Sequence, residues 1–148
     1  MPNSLPLLIA TPLATWERDG LAAALAGAGL PADDVREKGP LFWRFSATDD
    51  TPAGFGGLEV HDDLALLRSV VVLPVVRQHG FGDAIVASLE NEARAHNCSQ
   101  MWLLTTSARR YFERLGYQVD LDVPDAIRGS RQFALLCPPV ADIMVKAL

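Results

Sequence analysis

Runs of apolar and polar positions change period several times along this chain, and each change predicts a new element. Leu7 to Thr11 reads as a first strand. From Leu13 to Gly29, Trp16, Leu21, Ala24, Leu25 and Ala28 recur at near-helical spacing until Gly29 and Pro31 stop the pattern. Leu41 to Ala47 is rich in β-formers, and the Asp-Asp-Thr-Pro-Ala-Gly run after it reads as a turn. Gly54 to His61 is the next strand, and a tight turn at Asp62-Asp63 returns Leu64 to Val72 antiparallel to it as a hairpin. Leu64 to Val72 is nearly all apolar and ends in β-branched residues, so it is expected in the middle of a sheet, covered on both faces.

Between Gly82 and Asn97 the period lengthens: Ala84, Ile85, Leu89 and Ala93 mark one helix face, and Glu90, Asn91, Glu92 and Arg94 fall elsewhere. A strand at Met101 to Thr105, a short helix at Ser107 to Leu115 ended by Gly116, and a strand from Tyr117 follow. Pro124, Pro138 and Pro139 bracket a segment in which Ile127, Arg131 and Phe133 suggest a short helix, and Ala141 to Lys146 reads as a last strand. No repeat, low-complexity tract or linker interrupts the order, so one domain over residues 1–148 is expected.

Composition narrows the classes. A chain of 148 residues, 49% hydrophobic and 21% charged, is long enough to bury one respectable core, roughly 68–70% of its unfolded surface. A formal charge of −5 disfavours nucleic acid, which calls for a basic face. The apolar run Leu64 to Leu73 is broken by Arg68 and falls short of the ~20 residues that span a bilayer. Met-Pro-Asn-Ser-Leu-Pro has no cationic start followed by an apolar run, so the cytoplasm is the expected compartment. Cys98 and Cys137 stand far apart, with only His61, His79 and His96 between them, which suggests neither a disulfide nor a metal site. Buried, reduced thiols are expected.

The stretch that carries chemistry is Val70-Val71-Val72-Leu73-Pro74-Val75-Val76-Arg77-Gln78-His79-Gly80-Phe81-Gly82-Asp83. A buried strand breaks at a proline, loops through two glycines and enters a helix. A helix N-terminus offers unpaired N–H groups and about half a positive charge, and glycines at 80 and 82 let backbone approach phosphate oxygens. The Gly-x-Gly-x-x-Gly dinucleotide pattern fails, because Asp83 to Ala87 holds no third glycine, and the phosphate-loop Gly-Lys-Ser/Thr ending is absent.

Val-x-Pro-x-x-Arg-x-x-Gly-x-Gly, unbroken from Val72 to Gly82, resembles the acetyl-CoA motif of the GNAT acetyltransferases. Thr105-Thr106, the helix Ala108 to Arg114 and the corner Leu115-Gly116-Tyr117 resemble that family's downstream elements. The resemblance implies an α/β (α+β) fold: a central mixed, mostly antiparallel sheet of six to seven strands flanked by helices. It implies acetyl-CoA as co-substrate, the pantetheine arm paired along Val70, Val71 and Val72, and the pyrophosphate on the amides of Gln78, His79, Gly80, Phe81, Gly82 and Asp83 with Arg77 opening the loop. Thr105 and Tyr111 complete the cofactor-binding set it implies. More narrowly, Leu67 to Val72, Leu103 to Thr106 and Ile127…Phe133…Leu136-Cys137-Pro138 resemble acetyltransferases encoded with arsenic-resistance genes. That subfamily implies a glutamate-like acceptor such as arsinothricin or phosphinothricin.

Acetyl transfer needs a deprotonated amine, a polarised thioester carbonyl and a proton for the departing thiolate. The hairpin sets Glu59 opposite Leu66, with Arg68 its diagonal neighbour. Glu59 is then either a base with Arg68 binding a substrate carboxylate, or half of an ion pair that pins the hairpin. Where many GNAT enzymes carry an acidic tyrosine, four residues before the corner glycine, this chain has Phe112, which holds no such proton. Tyr111 precedes it, turned by about 100° on a helix, and is the alternative candidate acid. Arg128 and Arg131, three apart, could clamp an acidic acceptor or be solvated surface charges. The expected function is acetyl-CoA-dependent N-acetylation of a small-molecule amine, by a monomer or a homodimer, with no metal, membrane or nucleic-acid partner. The rivals are an acetyl-CoA-binding protein without turnover and a protein or peptide N-acetyltransferase.

Overall fold

The computed structural model describes residues 6–30, 32, 35, 39–73, 80–130, 133 and 141–148. Seven strands form one sheet: β1 (Leu8–Pro12), β2 (Leu41–Ala47), β3 (Pro52–His61), β4 (Leu64–Val72), β5 (Gln100–Thr105), β6 (Gln118–Val119) and β7 (Asp142–Ala147). Their spatial order is β1-β2-β3-β4-β5-β7-β6, with the β4–β5 pair parallel and every other pair antiparallel. This is the mixed, mostly antiparallel sheet the sequence led us to expect, with β4 in the middle. Among the described residues four α-helices accompany it: α1 (Arg18–Gly27), α2 (Phe81–Ala95), α3 (Arg109–Arg114) and α4 (Asp125–Arg128).

Strand alternation decides which helix covers which face. Ala65 and Leu67 of β4, Met101 and Leu103 of β5 and Met144 of β7 pack with Ile85, Val86, Leu89 and Ala93 of α2. The intervening side chains point the other way. Leu66, Trp102 and Ile143 meet Ile127 of α4, while Phe42 and Val71 meet Leu21 and Leu25 of α1. Each fully buried aliphatic side chain of this set contributes about 1.5–3 kcal/mol. The sheet is therefore buried on both faces around β4, which is why that strand lacks alternation.

Two sequence expectations change at the helices. Trp16 does not join the apolar face of the first helix; it is 81% exposed. Thr15–Glu17 form a 3-10 turn, and α1 proper begins at Arg18. The tighter turn rotates Trp16 off the buried side, while Glu17 pairs with Arg44 of β2. Glu90, expected off the apolar face of α2, is buried. Its carboxylate accepts from the Tyr117 hydroxyl at 2.8 Å and from Lys146 Nζ at 3.0 Å, so the charge is matched where it lies. Burial, then the neighbouring carboxylate, pushes the Tyr117 phenol above its usual range and keeps it a donor.

Candidate active site

The site begins with a bond pattern that stops. The parallel ladder between β4 and β5 pairs Leu64 with Gln100, Ala65 with Met101 and Leu66 with Trp102. Beyond Leu66, β4 turns away. Gly57 faces Arg68 while Phe55 faces Val71, so β4 carries one more residue than β3 across this stretch, a β-bulge. Ser69 sits inside it at φ 59°, a left-handed conformation rare for a residue with a side chain.

The parting opens a cavity of about 150 Å³, walled by Arg68, Ser69, Val70, Leu103, Thr105 and Phe112. A wider cleft of about 450 Å³ adjoins it, bordered by Val70, Val71 and Val72 on one side and by Gly80, Phe81, Gly82 and Asp83 at the mouth of α2 on the other. Val70, Ala108 and Phe112 border both, so the two spaces are neighbours. Gly80 caps α2 at φ 79°. The Ala84 amide bonds to the Gly80 carbonyl at 3.2 Å. Ahead of it, the amides of Phe81, Gly82 and Asp83 have no intrahelical acceptor, as in the first turn of any α-helix. A Cβ at Gly82 would stand 3.1 Å from the Tyr111 hydroxyl and 3.4 Å from Val72 Cγ2, so only glycine leaves the cleft its full width here. Arg77, Gln78 and His79 lie outside the described residues.

On the opposite face of β4, Glu59 and Arg68 touch as the hairpin register requires. Arg68 Nη1 donates to Glu59 Oε2 at 3.0 Å, and the Arg68 side chain is 0% exposed. Arg68 Nε donates to Ser69 Oγ at 3.0 Å, and the guanidinium lies 5.2 Å above the Phe42 ring centroid. His61 Nε2 is 3.1 Å from Glu59 Oε1. Phe42, Gly57 and Arg68 are cross-strand partners in one row. A Cβ on Gly57 would fall 2.6 Å from Phe42 Cδ1, so the glycine is what lets the ring lie across β3 and reach the guanidinium. Glu59 itself does not line the cavity; Arg68 does.

Tyr111 and Phe112 point to different places. Phe112 stands where the two spaces meet, its ring edge-on to Tyr111 at 5.1 Å and to Tyr117 at 5.6 Å. The Tyr111 hydroxyl points instead to the mouth of α2 and donates to Asp83 Oδ1 at 2.7 Å. Burial, then the Asp83 hydrogen bond and charge, hold its phenol well above the usual range, which makes it a poorer acid. Thr105 Oγ1 accepts from the Ala108 amide at 3.0 Å and so fixes the turn into α3. Arg128 is not brought to the cavity: it is exposed, and its Nε donates to the Val123 carbonyl at 3.2 Å. Arg131 lies outside the described residues.

Residues 8–117 match the acetyltransferase (GNAT) family. The chain belongs to that family. Solved structures share its fold. N-acetylglutamate synthase from Neisseria gonorrhoeae, complexed with coenzyme A and N-acetyl-glutamate, superimposes at TM-score 0.76 with 16% identity over 98% of this chain, which spans only 36% of that one. A putative acyl-CoA N-acyltransferase from Klebsiella pneumoniae is matched nearly end to end, at TM-score 0.75, 21% identity, and 96% and 98% of the two chains. The PaiA N-acetyltransferase from Thermoplasma acidophilum, complexed with coenzyme A, gives 0.67, 16%, and 96% and 99%. At these identities the likeness is one of fold. No curated protein matches the sequence.

Sequence reasoning missed Phe42, Gly57 and Ser69 as parts of this GNAT site. The adjacent glycines Gly56-Gly57 in an otherwise apolar strand were the available signal, since a strand glycine often marks a close approach. Among the described residues no helix is long and apolar enough to cross a membrane. Cys98 is a buried free thiol, and burial, then the Asp63 charge, pushes it above the usual thiol range. Cys137 lies outside the described residues.

Proposed function

We propose that this GNAT enzyme moves the acetyl group of acetyl-CoA to the amine of a small molecule that also carries an acidic group. One observation carries the reading: the cavity between β4 and β5 and the cleft at the mouth of α2 lie side by side, with Val70, Ala108 and Phe112 as their common wall. A thioester reaching in along β4 would meet an amine held in the cavity, with the backbone around Val70 to Val72 beside the arm. Arg68 borders the cavity, with its side chain 0% exposed and engaged by Glu59. The fold relative crystallised with N-acetyl-glutamate supports the acidic class of acceptor, which includes arsinothricin and phosphinothricin, the acceptors of the arsenic-resistance relatives it resembles.

In this reading Glu59 does not take the proton from the amine. It holds Arg68 in place, and water removes the proton. Phe112 keeps the transfer point apolar, and water also returns a proton to the thiolate. The chain acts as one domain in the cytoplasm, and Arg128 stays outside the site. Phe112 is also the observation behind the second reading, a GNAT fold that binds acetyl-CoA without turnover. Titration calorimetry with acetyl-CoA tests the first step, and a flat isotherm ends the proposal. Thiol release measured across glutamate analogues, neutral amines and peptides tests the second: turnover restricted to acidic amines supports it, turnover on peptides alone refutes it.

A further inference from the structure

The Tyr111–Asp83 hydrogen bond has no part in the acetyl transfer as proposed, yet it stands at the mouth of α2. Asp83 is the third residue of that helix, counted from its Gly80 cap. A carboxylate at that position is drawn toward the unpaired amides of the first turn, and in a capping box it reaches back to the amide of the cap residue itself. Those are the donors a diphosphate would use. An unrestrained Asp83 would therefore compete with the ligand for them, and its charge would repel the ligand as well.

The observed side chain is turned elsewhere. Tyr111, on α3 and 28 residues away in sequence, draws Oδ1 of Asp83 to its own hydroxyl at 2.7 Å. The phenol is fixed in turn by the edge of Phe112 at 5.1 Å and by the Arg114 guanidinium, 5.6 Å from its ring centroid. Its oxygen overhangs Gly82, the residue that has no side chain to fill the cleft. We propose that Tyr111 is a positioning residue, which holds the Asp83 carboxylate against α3 so that the first-turn amides of α2 are left to the diphosphate of coenzyme A. The inference rests on the function proposed above. The raised phenol pKa agrees with it, because Tyr111 remains a hydrogen-bond donor at any pH at which the enzyme works.

A double-mutant cycle tests this, with the dissociation constant of coenzyme A measured by calorimetry at low and high salt for the parent, Tyr111→Phe, Asp83→Asn and the double variant. Tyr111→Phe is expected to weaken binding about fivefold at low salt, with less loss at high salt, and to leave kcat at saturating acetyl-CoA unchanged. Asp83→Asn alone is expected to bind at least as tightly as the parent. Added to Tyr111→Phe it restores binding to within about twofold of the parent, because the competing charge has gone. Equal binding by parent and Tyr111→Phe overturns the proposal, and so does a double variant no better than Tyr111→Phe, which would mean that the tyrosine contacts the ligand directly. A fall in kcat overturns it too, by making Tyr111 catalytic. A parent that binds no coenzyme A overturns both this inference and the proposed function.

Discussion

Removing the carboxylate of Glu59 should cost the enzyme stability before it costs chemistry. The Arg68 side chain is 0% exposed and faces Glu59 Oε2 at 3.0 Å. Glu59→Ala would take from a buried guanidinium the carboxylate it faces, while the contacts to Ser69 Oγ and the Phe42 ring remain. Breaking a buried pair from one side costs about 3–5 kcal/mol, against about 0–1 kcal/mol for an exposed pair. The Phe42 contact, worth about 0.5–2 kcal/mol, places the expected loss near the lower bound, about 3 kcal/mol. For a domain of ordinary stability, about 5–15 kcal/mol, that is a large fraction. With a urea slope of about 2 kcal/mol/M, the midpoint should fall by about 1.5 M, followed through the fluorescence of the buried Trp43 and Trp102. The paired variant Glu59→Leu/Arg68→Met removes both charges together and should be more stable than Glu59→Ala alone. A Glu59→Ala midpoint within about 0.3 M of the parent, or a paired variant that is worse still, would refute the reasoning. If stability holds while the acidic limb of the pH–rate profile is lost, Glu59 is the base after all.

Three further outcomes follow from the same geometry. Gly82→Val puts branched carbon where a single Cβ already stands 3.1 Å from the Tyr111 hydroxyl; coenzyme A binding should weaken about tenfold or more by calorimetry, with the unfolding midpoint little changed. Phe112→Tyr brings a hydroxyl to the junction of cavity and cleft; if water now protonates the thiolate, kcat should rise about tenfold or more and gain an alkaline limb, and an unchanged kcat speaks for a step other than thiolate departure. Trp16→Ser alters a side chain that is 81% exposed, so chemical denaturation should register a change within about 0.5 kcal/mol.

Local patterns were legible in the sequence; relations among distant residues were not. The hairpin at Asp62-Asp63, the central place of β4 and the apolar face of α2 follow from period and turn chemistry, and the Glu59–Arg68 contact follows from the register those impose. Trp16 was misplaced because a 3.6-residue period was extended across a 3-10 turn. Glu90 was misplaced because its partners, Tyr117 and Lys146, come from elements far along the chain. The bulge falls at Arg68-Ser69, the two polar residues of β4, but residue type alone does not say which strand carries the extra residue. Arg128 had a plausible charge and spacing, but α4 turns it to the Val123 carbonyl and to solvent. The turn into α2 was readable because glycines at fixed spacing, Gly80 and Gly82, mark it, whereas the cavity between β4 and β5 is walled by residues from separate segments of chain.

The place of β7 governs how this chain can be made. It lies between β5 and β6 although it follows both in sequence, so β6 has no partner to pair with until residues 142–147 have left the ribosome. Lys146, the counter-charge for Glu90 of α2, arrives with the same segment. A nascent chain halted after Val119 therefore displays an open edge at β5 and a charged residue of α2 without its match, a species prone to aggregation and to capture by chaperones.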